Sequence, residues 1–183
     1  MNNRPWLAHY DKGVPQTIDY PKAPLFHFLE EAARKYPDRA VTIFKGAVIT
    51  YKEMEAQTNS MAAALVEMGV KKGDRVGIFM PNTPQFVIAY YGILKAGASV
   101  VAVNPTYPVD EIIMPVNDAN IEVMFTLTRF YDKVKAARER SKLKKIIVSN
   151  LKETLPPITR LLFTLLKEKK DGDRLSSLAS GDY

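Results

Sequence analysis

From residue 69 onward, blocks of mostly apolar residues alternate with segments whose apolar positions recur every three or four residues. Residues 75–80, 98–103, 123–126 and 145–149 have the length and Val/Ile/Phe/Ala content of strands. Between them, 82–96, 107–117 and 131–140 carry helical spacing. The run 98–103 has five apolar residues in six, which predicts a strand covered on both faces. Upstream, residues 25–36 predict a helix ended by Pro37, and 40–44 with 47–51 predict a hairpin turning at Lys45-Gly46. Thr50 and Glu53 then have the T-x-x-E spacing of a capping box. Behind them, Met54, Thr58, Met61, Leu65 and Met68 fall on one face of a helix that Gly69 stops. Asn82 or Thr83 can cap the next helix, with Pro84 in its first turn. Pro115 conflicts with the helix around it and predicts a break near Met114.

Strand and helix therefore alternate at short intervals. This predicts an α/β fold: a doubly wound, mostly parallel sheet with flanking helices, preceded by a β-hairpin. Residues 1–24, with Pro5, Pro15, Pro21 and Pro24, read as an irregular arm; 25–150 read as the α/β body; 151–183 read as a basic amphipathic helix with a polar, linker-like tail. In that last segment Ile158, Leu161, Leu162, Leu165 and Leu166 follow i, i+3, i+4, i+7, i+8 spacing, beside Arg160, Lys167, Lys169 and Lys170. Two readings of the stripe stand open. It docks on the protein's own body, or Leu161, Leu162, Leu165, Leu166, Lys169 and Lys170 meet a membrane interface.

Composition narrows the chemistry. The 183 residues contain no cysteine, which excludes disulfides, a thiolate nucleophile and cysteine metal sites, and fits a cytoplasmic protein. Residues 129–174 hold 14 Lys/Arg against 6 Asp/Glu, so the basic character lies in the last third, either as a solvated face or as a surface for an anionic partner. His9 and His27 stand alone, and no metal-ligand cluster, G-x-G-x-x-G loop or P-loop appears. No pattern for nucleic-acid readout is present, so no nucleic-acid partner is expected.

Several phrases carry a family likeness. Thr50-Tyr51-Lys52-Glu53-Met54 resembles the first core motif of the adenylate-forming (AMP-binding) enzymes, with Met54 in place of leucine. That superfamily comprises acyl-CoA synthetases, luciferases and peptide-synthetase adenylation domains. Residues 69–105, with Lys95, Gly97, Asn104 and Pro105, resemble its second conserved block, in the form usual for acyl-CoA synthetases. Asp110-Glu111-Ile112 and Asn117-Asp118 are similar to the next segment, although Ala119-Asn120-Ile121 replaces Ser-Gly-Ala. Residues 155–174 resemble long-chain fatty-acid–CoA ligases of bacteria and archaea.

The resemblance implies the N-terminal part of such a ligase, a partial N-terminal subdomain of the adenylate-forming fold. The family's reaction joins a fatty acid to CoA with ATP and Mg²⁺ by way of an acyl-adenylate. Its phosphate loop, Mg²⁺-binding acid and catalytic lysine have no counterpart here, so the resemblance implies no catalytic or metal-binding residue in this chain and no bound cofactor. Thr50, Tyr51, Glu53, Lys95, Gly97, Asn104 and Pro105 are expected to serve structure, and the polypeptide alone is expected to be inactive. The alternative is a truncated, non-catalytic relative that binds lipid or a partner protein.

Overall fold

The computed structural model describes residues 4–175 and 177–183; residues 1–3 of the expected arm and Ser176 of the expected tail lie outside it. A single 3₁₀ turn, Pro5–His9, interrupts an exposed arm that leads into helix α1, Phe26–Lys35. Strands β1 (Ala40–Phe44) and β2 (Ala47–Thr50) form an antiparallel hairpin. Its turn residues Lys45 and Gly46 both have positive φ, 48° and 84°, as a type I′ turn demands.

The body follows in strict alternation: α2 (Tyr51–Glu67), β3 (Arg75–Phe79), α3 (Pro84–Lys95), β4 (Ser99–Ala102), α4 (Val109–Asp118), β5 (Val123–Leu127), α5 (Tyr131–Arg138) and β6 (Lys145–Ser149). Strands β3 to β6 make one parallel sheet in the order β4-β3-β5-β6. Period-two alternation sorts its side chains. Val76, Ile78, Val123, Phe125 and Leu127 join Leu65, Ala89 and Ile93 of α2 and α3 in one core. Phe79, Met124 and Ile146 join Ile112, Val116, Tyr131, Val134 and Ala137 of α4 and α5 in a second core on the opposite face. The doubly wound sheet, the hairpin and all four expected strands are present.

Five local expectations need correction. Strand β4 is at the edge, with Ser99 and Ala102 exposed, so its apolar run is covered only in part. Helix α4 runs unbroken through Pro115; the lost bond falls on the carbonyl of Glu111, an exposed residue that water can serve. Thr83 holds the N-cap position of α3, yet its side chain makes no capping bond and its hydroxyl is buried without a partner.

The closing residues do not trail as a linker. Tyr183 exchanges backbone hydrogen bonds with Ile146 (3.1 Å) and Val148 (2.7 Å) on the outer edge of β6. Asp182, with a fully buried side chain, accepts from the Tyr131 hydroxyl (2.7 Å), the Ile146 amide (3.1 Å) and Arg138. Finally, helix α6 (Pro157–Leu166) forms over the expected residues but meets the body through Phe163, not through its leucine stripe.

Candidate functional site

Strand order reverses between β3 and β5: the chain leaves β3 for β4 on one side and returns to β5 on the other. In open parallel sheets, ligand crevices form beyond the carboxyl ends of strands at such a point. Here the walls are residues 80–83 after β3, 104–107 after β4, 128–130 after β5 and 150–154 after β6. Thr126 ties the two central strands by donating to the Phe79 carbonyl (3.0 Å). Phe130 meets Phe79 edge to face at 5.8 Å between ring centroids. The Lys133 ammonium lies 5.8 Å from the Phe79 ring and donates to the Tyr107 carbonyl (3.1 Å).

Residues 150–173 close the far side of this end of the sheet. Asn150 is the hub: its side-chain amide donates to Glu168 (3.0 Å) and to the Asp173 carbonyl (2.8 Å), while its backbone carbonyl accepts from the Gln85 side chain (3.2 Å). Lys152 pairs with Glu168 at 2.6 Å. Arg129 grips the fully buried Asp173 carboxylate through Nε (3.0 Å) and Nη2. The hydrogen bond to Asp173 strengthens the guanidinium's hold on its proton, against the opposing effect of burial. This cluster fastens the segment after α6 onto the ends of β5 and β6, and its charges are spent on one another. Among the described residues, no three His, Asp or Glu side chains gather to hold a metal ion. An apolar recess of about 580 Å³ borders two of these walls, between α2, α3 and strands β5 and β6, lined by Met61, Met80, Ile88, Phe125, Ile147 and Thr154.

The residues singled out in the sequence occupy separate places. Thr50 and Glu53 close a capping box at the start of α2: Thr50 Oγ1 accepts from the Glu53 amide (3.3 Å), and Glu53 accepts from the Thr50 amide and hydroxyl, both at 2.8 Å. Those bonds from Thr50, the backbone one first, hold the Glu53 carboxyl below its usual range. Tyr51 begins the helix, its amide on the Arg39 carbonyl. Lys95 is buried where three helices meet, 2.7 Å from both Glu55 of α2 and Asn59, and 4.0 Å from Glu30 of α1. Gly97 has φ +81° and sits against the Lys72 backbone, where a Cβ would approach to 3.4 Å. Asn104 accepts from the Thr106 amide (3.0 Å) and hydroxyl (2.8 Å), a local turn containing Pro105 at the end of β4. Leu161, Leu162, Leu165 and Leu166 are 58%, 51%, 70% and 69% exposed, and Lys169 and Lys170 are exposed beside them.

Sequence reading missed Arg129, Asn150, Lys152, Glu168 and Asp173. Their partners across the cluster lie 16 to 65 positions away, and apart from the turn Asn150 makes by accepting from the Lys152 amide no local pattern marks them.

Comparison with known proteins follows the same lines. The sequence profile of the family described as AMP-binding enzyme matches residues 29–175. A long-chain-fatty-acid–CoA ligase of Bacillus subtilis is 33% identical over 170 residues, covering 93% of this chain and 30% of the relative. One from Salmonella typhimurium is 32% identical over 152 residues, covering 82% of this chain and 27% of its own. The crystal structure of a long-chain-fatty-acid–CoA ligase from Archaeoglobus fulgidus shares the fold, with TM-score 0.69 at 24% identity over 76% of this chain and 30% of that one. The chain thus spans under a third of the length of these relatives.

Proposed function

The chain belongs to the AMP-binding enzyme family, and on that footing we propose that it supplies the N-terminal frame of an ATP-dependent long-chain fatty-acid–CoA ligase. The observation that carries the reading is the 33% identity to a ligase of that name along 93% of the chain. In this reaction a fatty carboxylate attacks the α-phosphate of ATP, releasing pyrophosphate, and the CoA thiol then displaces AMP to leave the thioester. Charge must be neutralised on the departing pyrophosphate, and the residues described here do not fit that task. Arg129 and Lys152 at the carboxyl ends of the strands are paired internally, and among the described residues no acid cluster fits Mg²⁺.

The chain's own contribution is therefore positional. The two-sided sheet and the Asn150–Asp173 fastening set the geometry against which the rest of such an enzyme binds ATP, Mg²⁺, CoA and the acid. A cysteine-free chain of this family fits a cytoplasmic setting. The test is a pair of pyrophosphate-exchange assays with palmitate. The chain alone is expected to give no exchange, whereas the Bacillus relative carrying these residues in place of its matching stretch is expected to retain it. Exchange by the chain alone refutes the framing role, and a folded but silent chimera refutes the ligase reading.

A further inference from the structure

Residues 4–23 extend from α1 without fastening to the body. All but Leu7 and Ala23 are exposed, and the arm's backbone bonds, Leu7 to Arg4, Tyr10 to Leu7 and Val14 to Asp11, stay inside it. Among the described residues, no hydrogen bond or ion pair joins this stretch to the rest of the fold. Yet the arm is rich in large apolar side chains: Trp6, Tyr10, Val14, Ile18 and Tyr20 all face solvent, Trp6 at 54% and Tyr20 at 79% exposure. Pro5, Pro15 and Pro21 restrict its backbone, so ordering it against a partner costs less entropy than ordering a free coil.

The body carries a surface of matching shape and charge. The recess between α2, α3, β5 and β6, about 580 Å³, has room for an indole and the residues beside it. Met61 and Met80 on its walls adapt to an aromatic ring and make favourable sulfur contacts with it. Glu153 is the one charged residue among the described lining, held by the Ser149 hydroxyl at 2.7 Å. On the arm, Arg4 is the one formal charge between residues 4 and 10. An aromatic anchor beside a cation thus faces an apolar cavity beside an anion.

We propose that two copies of this chain exchange arms, Trp6 of each entering the recess of the other with Arg4 against Glu153. No arm residue lines the recess of its own chain. Each copy has one arm and one recess, so a two-fold pair fills both recesses and closes on itself. A buried tryptophan ringed by apolar side chains is the usual centre of such a contact. The proposal stands on these two surfaces and does not depend on the acyl-transfer reading.

Trp6 is the only tryptophan of the chain, so its fluorescence reports its own surroundings. Emission and sedimentation-velocity mass are followed together from about 1 to about 100 µM chain. The expected result is a blue shift that rises in step with doubling of the mass. Trp6→Ala should weaken association at least about tenfold, and so should Ser60→Arg, which crowds the mouth of the recess from α2. Glu153→Lys should weaken it roughly fivefold, and adding Arg4→Glu should restore it. All four positions are exposed, so circular dichroism should match the parent chain. A monomer at every concentration overturns the proposal, as does a dimer that ignores both Trp6→Ala and Ser60→Arg. A blue shift without a change of mass also overturns it, since the arm would then occupy its own recess.

Discussion

Helices α2 and α3 touch through a glycine, and replacing it with alanine sets two opposing effects against each other. Gly92 lies inside α3 with no positive φ, so alanine meets no backbone strain there and gains about 1 kcal/mol of helix propensity. The added methyl, however, would lie 2.8 Å from Met61 Cβ and 2.5 Å from Met61 Cγ. A rotamer change moves the Cγ but not the Cβ, whose place is set by the α2 backbone. Carbon atoms rest at about 3.5–4.0 Å, so the two helices must separate by about 1 Å.

That separation loosens the core that Leu65, Ala89 and Ile93 share with the sheet. Overpacking of this sort costs about 1–3 kcal/mol, which outweighs the propensity gain. The expected result for Gly92→Ala is a net loss of up to about 2 kcal/mol, or a Tm lower by up to about 8 °C for a chain of this size. Urea titration read by circular dichroism gives the change directly, as a lower midpoint at constant slope. Removing the clashing Cβ itself with Met61→Gly should make the double variant less unstable than the two single losses added together, by about 1 kcal/mol. A rise in Tm for Gly92→Ala alone would refute the close-contact reasoning, because propensity would then be the only effect at work.

Three further outcomes are expected. Lys95→Ala strips the buried ammonium from Glu55 and Asn59 and should cost about 2–4 kcal/mol by urea midpoint, with Lys95→Met recovering part through its retained stem. Glu53 titrates lower folded than unfolded, so its contribution is complete above the unfolded value and disappears as pH falls through the folded one; Glu53→Gln should flatten the stability curve below about pH 4, and an unchanged curve would contradict the capping geometry. Asp173→Ala leaves Arg129 partly exposed to water but releases residues 168–175, and trypsin should cut after Lys169 and Lys170 roughly tenfold faster at unchanged global Tm.

What the sequence made legible was local. The alternation of β3 and β5, the turn at Lys45-Gly46 and the Thr50–Glu53 cap each depend on residues within a few positions of one another, and each formed as read. Coverage of β4 did not, because whether an apolar run has neighbours on both sides depends on strand order, which no six residues encode. Helical spacing in α6 told which side is apolar, not what lies against it, and a lone Phe163 took the body contact. Lys95 read as a charged residue ending a helix, yet Glu30 and Glu55, 65 and 40 positions upstream, made a buried clamp of it. The polar tail looked unattached for the same reason: Asp182 finds Tyr131 and Arg138 only after the sheet has formed.

The strand order also has a bearing on birth at the ribosome. Strand β3 is made before either of its neighbours, and it needs β4, 24 positions later, and β5, 47 positions later, to cover its two sides. Until residue 127 has emerged from the exit tunnel, a nascent Val-Gly-Ile-Phe strip has free hydrogen-bonding groups along at least one flank. Slow translation between residues 80 and 123 would prolong that nakedness and call for a chaperone, whereas synonymous codons that hasten this interval should raise the yield of native chain.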